Sequence, residues 1–162
     1  MSDRPARRQG EPLPDIRPAI AREPVHPSIT EEQITRLVSE FYDRIRLDAR
    51  LGPIFEEKLA GRWPEHLAKM ETFWQSVLLK TGAYKGKPVP AHMQLQGLQV
   101  SDYPDWLQIF RPVALEIFGE EAGLAVIEVA ERIAQSLWFA SFGTAGCPLP
   151  EGMTGTKGQV SA

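Results

Sequence analysis

WPEHLAKMETFWQSVLLK, residues 63–80, is the stretch on which the fold turns. Pro64 suits the first position of a helix, where its missing N–H costs nothing, and Gly82 suits the position just past the end. At 3.6 residues per turn, His66, Met70, Phe73 and Val77 fall within about 60° of one another, and Trp74 and Leu78 widen the same apolar stripe. The spacing predicts an amphipathic helix with a histidine at the edge of its apolar face, flanked by solvent-facing Glu65 and Lys69.

Working outward, a first helix is predicted to start at Thr30. Thr30 with Gln33 fits a capping box and Ile29 with Ile34 a hydrophobic staple. Ile34, Leu37, Val38, Phe41, Tyr42 and Ile45 then keep helical spacing to an end near Asp48, before a Gly52-Pro53 breaker. Residues 82–100 contain Gly82, Gly86, Pro88, Pro90 and Gly97, so they read as a loop, with a turn or two of helix from Pro90 carrying His92 and Leu95. A third helix starts at Asp102 to Pro104, with Trp106, Phe110, Val113 and Ile117 in register. Pro112 removes its hydrogen bond to Gln108, which predicts a kink, and Gly119 ends the helix. A fourth runs from Glu121 to Phe142 with Leu124, Ile127, Ala130, Ala134 and Leu137 inward. No segment alternates with period two, so the fold class is all-α.

The 162 residues predict one domain, and 43% hydrophobic with 24% charged residues is ordinary for a globular chain. A net charge of −3 and the lack of clustered Lys and Arg argue against a nucleic-acid partner. No phosphate-binding glycine motif occurs. The single cysteine, Cys147, excludes an intrachain disulfide and favours a reducing, cytoplasmic compartment. Arg4, Arg7 and Arg8 have no apolar stretch behind them, so no secretory signal is expected, and no apolar run is long enough to span a membrane. All fourteen Phe, Trp and Tyr residues lie between Phe41 and Phe142. Residues 1–27 hold six prolines, five arginines and no aromatic, and are expected to be a disordered leader with His26 solvated. Residues 28–142 form the domain, and 143–162 are expected to be a flexible Gly-rich tail.

The histidines His66 and His92 carry the functional question. The plain reading is two surface or satisfied core residues. Zinc is poorly supported, because it takes three or four protein ligands and there is neither H-E-x-x-H nor a cysteine pair. Haem iron asks for less. The porphyrin supplies four nitrogens, one axial histidine suffices, and the rest of the pocket is an apolar slot that helical faces can build. One loop histidine and one histidine on an apolar helix face fit this economy.

The pieces FYDRIR (41–46), LGPIFEEKL (51–59), WPEHLAKMETFW (63–74), GAYKGKPVPAHMQL (82–95) and WLQIF (106–110) are collinear across residues 29–142. In that order and context the chain resembles the group III truncated haemoglobins. The resemblance implies a truncated globin, a two-over-two helical sandwich around a b-type haem. It implies His92 as the proximal iron ligand, His66 on the distal helix, Tyr42 as the distal tyrosine and Trp106 as the tryptophan entering the distal pocket. Met70, one turn after His66, and Phe41 and Phe73 are implied as pocket walls. The double-glycine loops of other truncated-globin groups are absent, as the resemblance requires; Pro112 and the leader have no counterpart in it. Three roles stay open for His66: iron ligand, donor to a bound ligand, or gate, its edge position favouring the gate.

The expected function is binding of oxygen and other diatomic ligands. It serves redox or detoxification chemistry of oxygen, peroxide or nitric oxide rather than oxygen transport. Peroxidase-like or nitric-oxide dioxygenase-like turnover needs electrons, and with no flavin or nicotinamide motif in the chain a separate reductase is implied. The competing classes are a haem-free helical interaction module and a single-domain haem-based sensor.

Overall fold

The computed structural model describes residues 23–82, 84, 97–143 and 147–155, and among these every regular element is an α-helix. Helix α1 spans Glu31–Leu47, α2 Leu51–Leu59, α3 Trp63–Leu78 and α4 Asp102–Phe142.

Helix α1 starts where the capping box places it. Gln33 N–H donates to Thr30 Oγ1 at 3.2 Å and Thr30 N–H to Gln33 Oε1 at 2.9 Å. Glu31 and Glu32 occupy the positive end of the helix dipole, and Arg44 and Arg46 the negative end. Its buried face is the one the periodicity marks: Ile34, Leu37, Val38, Phe41, Tyr42 and Ile45.

The Gly52-Pro53 pair does not break the chain; it lies inside the first turns of α2. Proline is tolerated there because the first N–H groups of a helix have no intrahelical partner. Asp48 Oδ1 takes up two of the neighbouring donors, Arg50 N–H at 3.0 Å and Leu51 N–H at 2.8 Å. A Cβ at position 52 would stand 2.7 Å from the Arg46 carbonyl, so glycine is what lets α2 turn directly against the end of α1.

Helix α4 is one assigned helix across a break at Gly119, whose φ of 80° and ψ of 178° only glycine adopts readily. Pro112, where a kink is expected, lies inside the helix, which is assigned continuously across it. Pro112 is exposed, so the Gln108 carbonyl deprived of its partner faces solvent, and the helix continues. Beyond Gly119 the chain doubles back. Arg111 meets Glu131 at 3.1 Å and Tyr103 Oη meets Ser141 Oγ at 3.1 Å, which pairs the two arms of α4 antiparallel. Leu124, expected inward, is 41% exposed at the outside of this hairpin.

Helices α1 and α3 pack on each other and on α4, and α2 packs on α1. Phe41, Phe110, Leu37, Leu107 and Ile127 are fully buried at the centre. Each such side chain contributes about 1.5–3 kcal/mol through removal of its apolar surface from water.

The flanking segments depart from expectation where they are described. Val25 N–H donates to the Leu78 carbonyl at 2.9 Å, and His26 lies 3.5 Å from Glu121 with Ser28 on its Nδ1. The folded unit therefore reaches back past residue 28, and His26 has partners. At the other end, Met153 is fully buried. Arg111 donates to the Gly152 carbonyl at 2.8 Å and Gln135 to the Met153 carbonyl at 3.0 Å, so residues 147–155 form a strap on α4 rather than a flexible tail. One buried methionine and two carbonyl-directed side chains offset the ordering cost that the glycine content suggested would prevail.

Candidate functional site

Tyr42 is the centre of the site. It projects from the fifth buried position of α1 into a nest of aromatic rings contributed by all of α1, α2 and α3. The His66 ring stands edge-on to it with centroids 5.1 Å apart, Phe55 lies at 6.0 Å and Trp63 at 6.2 Å. Burial alone pushes the Tyr42 phenol well above its ordinary range, so its hydroxyl stays protonated and remains a donor. Among the described residues none accepts a hydrogen bond from it.

Phe41 connects this nest to α4. Its ring contacts Tyr42 at 5.1 Å, Trp106 at 5.1 Å and Phe110 at 5.3 Å, each near-perpendicular. Trp106 stacks on Phe110 at 5.2 Å with planes 14° apart, one turn along the same helix. The indoles of Trp63 and Trp138 donate to Glu56 and to the Val100 carbonyl; that of Trp106 donates to no described residue.

Helix α3 supplies the remaining wall. Its fully buried residues are Trp63, Trp74 and Leu78, whereas Met70, Phe73 and Val77 are only partly covered although apolar. Phe73 packs edge-on to Tyr84 at 5.1 Å. The His66 Nε2 atom is closed to solvent while the residue as a whole is half-buried, which places the ring tip inward from the surface.

Phe41, Tyr42, His66 and Trp106 are linked by ring contacts, Phe41 to Tyr42 and Trp106 and Tyr42 to His66, whereas Phe73 contacts Trp74 and Tyr84, and Met70 is a partly covered residue of α3. His92 lies outside the described residues. Trp74 belongs to the apolar stripe read from the sequence, whereas Phe55, Trp63 and Tyr84 were not singled out as parts of the wall. Phe55 was hidden because the Gly52-Pro53 pair masked its helix; the others were visible only as generic aromatics. A groove of about 1240 Å³ runs along the start of α4, Arg111 and the C-terminal strap; it shares no residue with this region. Among the described residues no group of three or more His, Cys, Asp or Glu is placed to hold a metal ion by itself.

No family model matches the chain. It is 33% identical over 110 residues to the group 3 truncated hemoglobin ctb of Campylobacter jejuni, a span of 66% of this chain and 87% of that protein. The crystal structure of a group III truncated hemoglobin from Campylobacter jejuni superposes with a TM-score of 0.69 at 29% identity, covering 76% of this chain and 98% of that one.

Proposed function

Because the chain belongs to the group III truncated haemoglobins, we propose that the converging faces of α1, α3 and α4 hold a b-type haem, with His92 as its protein ligand, for redox chemistry on small diatomic ligands. As a globin, the protein is a haem protein of diatomic ligands. The haem iron supplies the ligand-binding and electron-transfer chemistry when bound.

The observation that carries the site assignment is the Tyr42 hydroxyl. A buried polar group normally finds an acceptor, because leaving it without one costs about 1–3 kcal/mol. Tyr42 sits in the aromatic nest with its O–H kept protonated by burial, and a bound ligand gathering negative charge would supply its acceptor. The half-covered apolar residues Met70, Phe73 and Val77 fit the flat apolar face of a porphyrin in the same way.

The chain's own residues then divide the work. Phe41, Met70 and Phe73 exclude water. Tyr42 donates its O–H, and Trp106 its N–H, toward the ligand position. Each such bond to a charged group contributes roughly 1.5–3 kcal/mol, so two slow ligand release by on the order of 10² to 10⁴. Retention of that size suits redox or detoxification chemistry of oxygen, peroxide or nitric oxide, with electrons from a separate reductase, better than delivery. His66, beside Tyr42 and at the pocket rim, acts as a gate. No described helix is long and apolar enough to cross a membrane, and a cytoplasmic setting fits the single cysteine.

The test is the absorption spectrum of the purified protein in ferric, ferrous, oxygen-bound and carbon-monoxide-bound forms, repeated on His92→Ala. Wild type is expected to show stoichiometric haem and a five-coordinate, high-spin ferrous form, and the variant to lose most of its haem. Wild-type haem content and spectrum in His92→Ala would overturn the ligand assignment.

A further inference from the structure

Trp63 opens α3, and three helices act on it. Its indole N–H donates to Glu56 Oε2 of α2 at 2.8 Å. The Arg46 guanidinium of α1 covers its face at 4.4 Å from the ring centroid, and lies 3.9 Å from the same Glu56 oxygen. Trp63 itself is buried, while Arg46 and Glu56 are half-exposed, at 47% and 52%.

The inner side of this arrangement is His66. Trp63 and His66 stand three residues apart on α3, the separation that makes side chains neighbours on a helix surface. Their rings meet at 6.1 Å and 88°, and His66 in turn meets Tyr42 at 5.1 Å and 89°. Trp63 also touches Tyr42 at 6.2 Å. The three ring centroids form a close triangle, with His66 seated against both Tyr42 and Trp63. Outward movement of His66 gives up its edge contacts with a phenol and with an indole whose N–H and face are both engaged. A buried indole needs an acceptor for its N–H, and this one finds it in a charged pair at the surface.

We propose that Trp63, held by Glu56 and Arg46, is a positioning residue that keeps His66 edge-on against Tyr42 and so sets how readily small ligands pass His66. This rests on the reading of His66 as the gate of a haem pocket. The charged pair is solvated and screened by salt, so the restraint is weak enough to yield. Glu56 is the sensitive point, because one oxygen serves both the indole and the guanidinium.

The experiment measures carbon-monoxide association to the ferrous full-length protein by flash photolysis, with the infrared stretch of bound carbon monoxide as a second readout. Glu56→Leu and Trp63→Phe are expected to accelerate association about 3- to 10-fold, the range that loss of one typical hydrogen bond with a half-exposed acceptor produces, and to broaden or split the stretching band. Glu56→Gln, which keeps an acceptor for the indole, is expected to stay within about twofold of wild type. In a His66→Ala background Glu56→Leu is expected to add nothing, since a restraint acting through His66 has nothing left to restrain. Equal acceleration in both backgrounds overturns the proposal. So does an unchanged rate in Glu56→Leu and Trp63→Phe when His66→Ala alone is fast, and that result leaves the gate standing. An unchanged rate in His66→Ala itself removes the gate, and the restraint with it. Glu56 lies half in solvent, so its variants keep the fold, and an unshifted melting temperature checks this.

Discussion

The imidazole of His66 meets the phenol of Tyr42 with ring centroids 5.1 Å apart and planes at 89°, although the two residues belong to helices separated in sequence by the whole of α2. Under the proposed function, this contact joins the donor to a bound ligand with the gate that admits it. Changes at either residue are expected to separate kinetically: Tyr42 governs release, His66 governs entry.

Tyr42→Phe and Trp106→Phe are each expected to speed oxygen dissociation by about 10- to 100-fold, the loss of one hydrogen bond to a charged acceptor. Carbon monoxide, less polar when bound, is expected to change less. Stopped-flow displacement of oxygen by carbon monoxide reads both. Oxygen rates within about twofold of wild type in both variants, under 0.5 kcal/mol, remove the donor assignment.

Tyr42 also leaves a mark on stability. Its phenol is raised in the folded protein, whereas in the unfolded chain it loses its proton near pH 10. The folded state thus holds a proton that the unfolded state releases. The stabilisation is fully present below pH 10 and is lost as pH rises beyond it toward the folded-state value. Urea denaturation from pH 8 to 11.5 is expected to show a decline that is shallower in Tyr42→Phe. Superimposable pH profiles contradict the buried phenol.

The start of α4 is tied down by Asp102, which is 2% exposed and accepts from Arg50 Nε and Nη2 at 3.0 Å and from Gln99 N–H. Arg50 reaches on to the Gly97 carbonyl. Asp102→Leu leaves these donors without their shared acceptor, and the melting temperature is expected to fall by about 5 °C or more. An unchanged thermal transition shows that solvent replaces the carboxylate without loss.

The strap of residues 147–155 is expected to be part of the cooperative unit. Met153→Ala empties a fully buried site and is expected to cost about 2–4 kcal/mol in chemical denaturation. A flexible tail predicts no change. Likewise, truncation at residue 28 rather than 23 removes the Val25–Leu78 hydrogen bond, and is expected to lower the melting temperature by a few degrees relative to the longer form.

The sequence by itself determined the helical class, the cap of α1, the buried face of α1 and the apolar stripe of α3. These are local matters: a capping box uses residues three apart, and an amphipathic face repeats every 3.6 residues. The family resemblance marked Tyr42, His66 and Trp106 from the order of their motifs. Tertiary structure alone decided what local patterns do not encode. Gly52-Pro53 reads as a breaker until α2 is seen turning against α1, where a missing Cβ and an early proline are both advantages. Gly119 reads as a helix end, and the structure shows the chain doubling back there into an antiparallel hairpin, on a backbone angle that glycine adopts readily. Met153 sits in a Gly-rich stretch and is buried only because two side chains of α4 reach the carbonyls beside it. The ties among Arg46, Glu56, Trp63 and His66 cross three helices, and no spacing along the chain announces them: they exist because packing buries the indole face and leaves its N–H to find an acceptor at the surface.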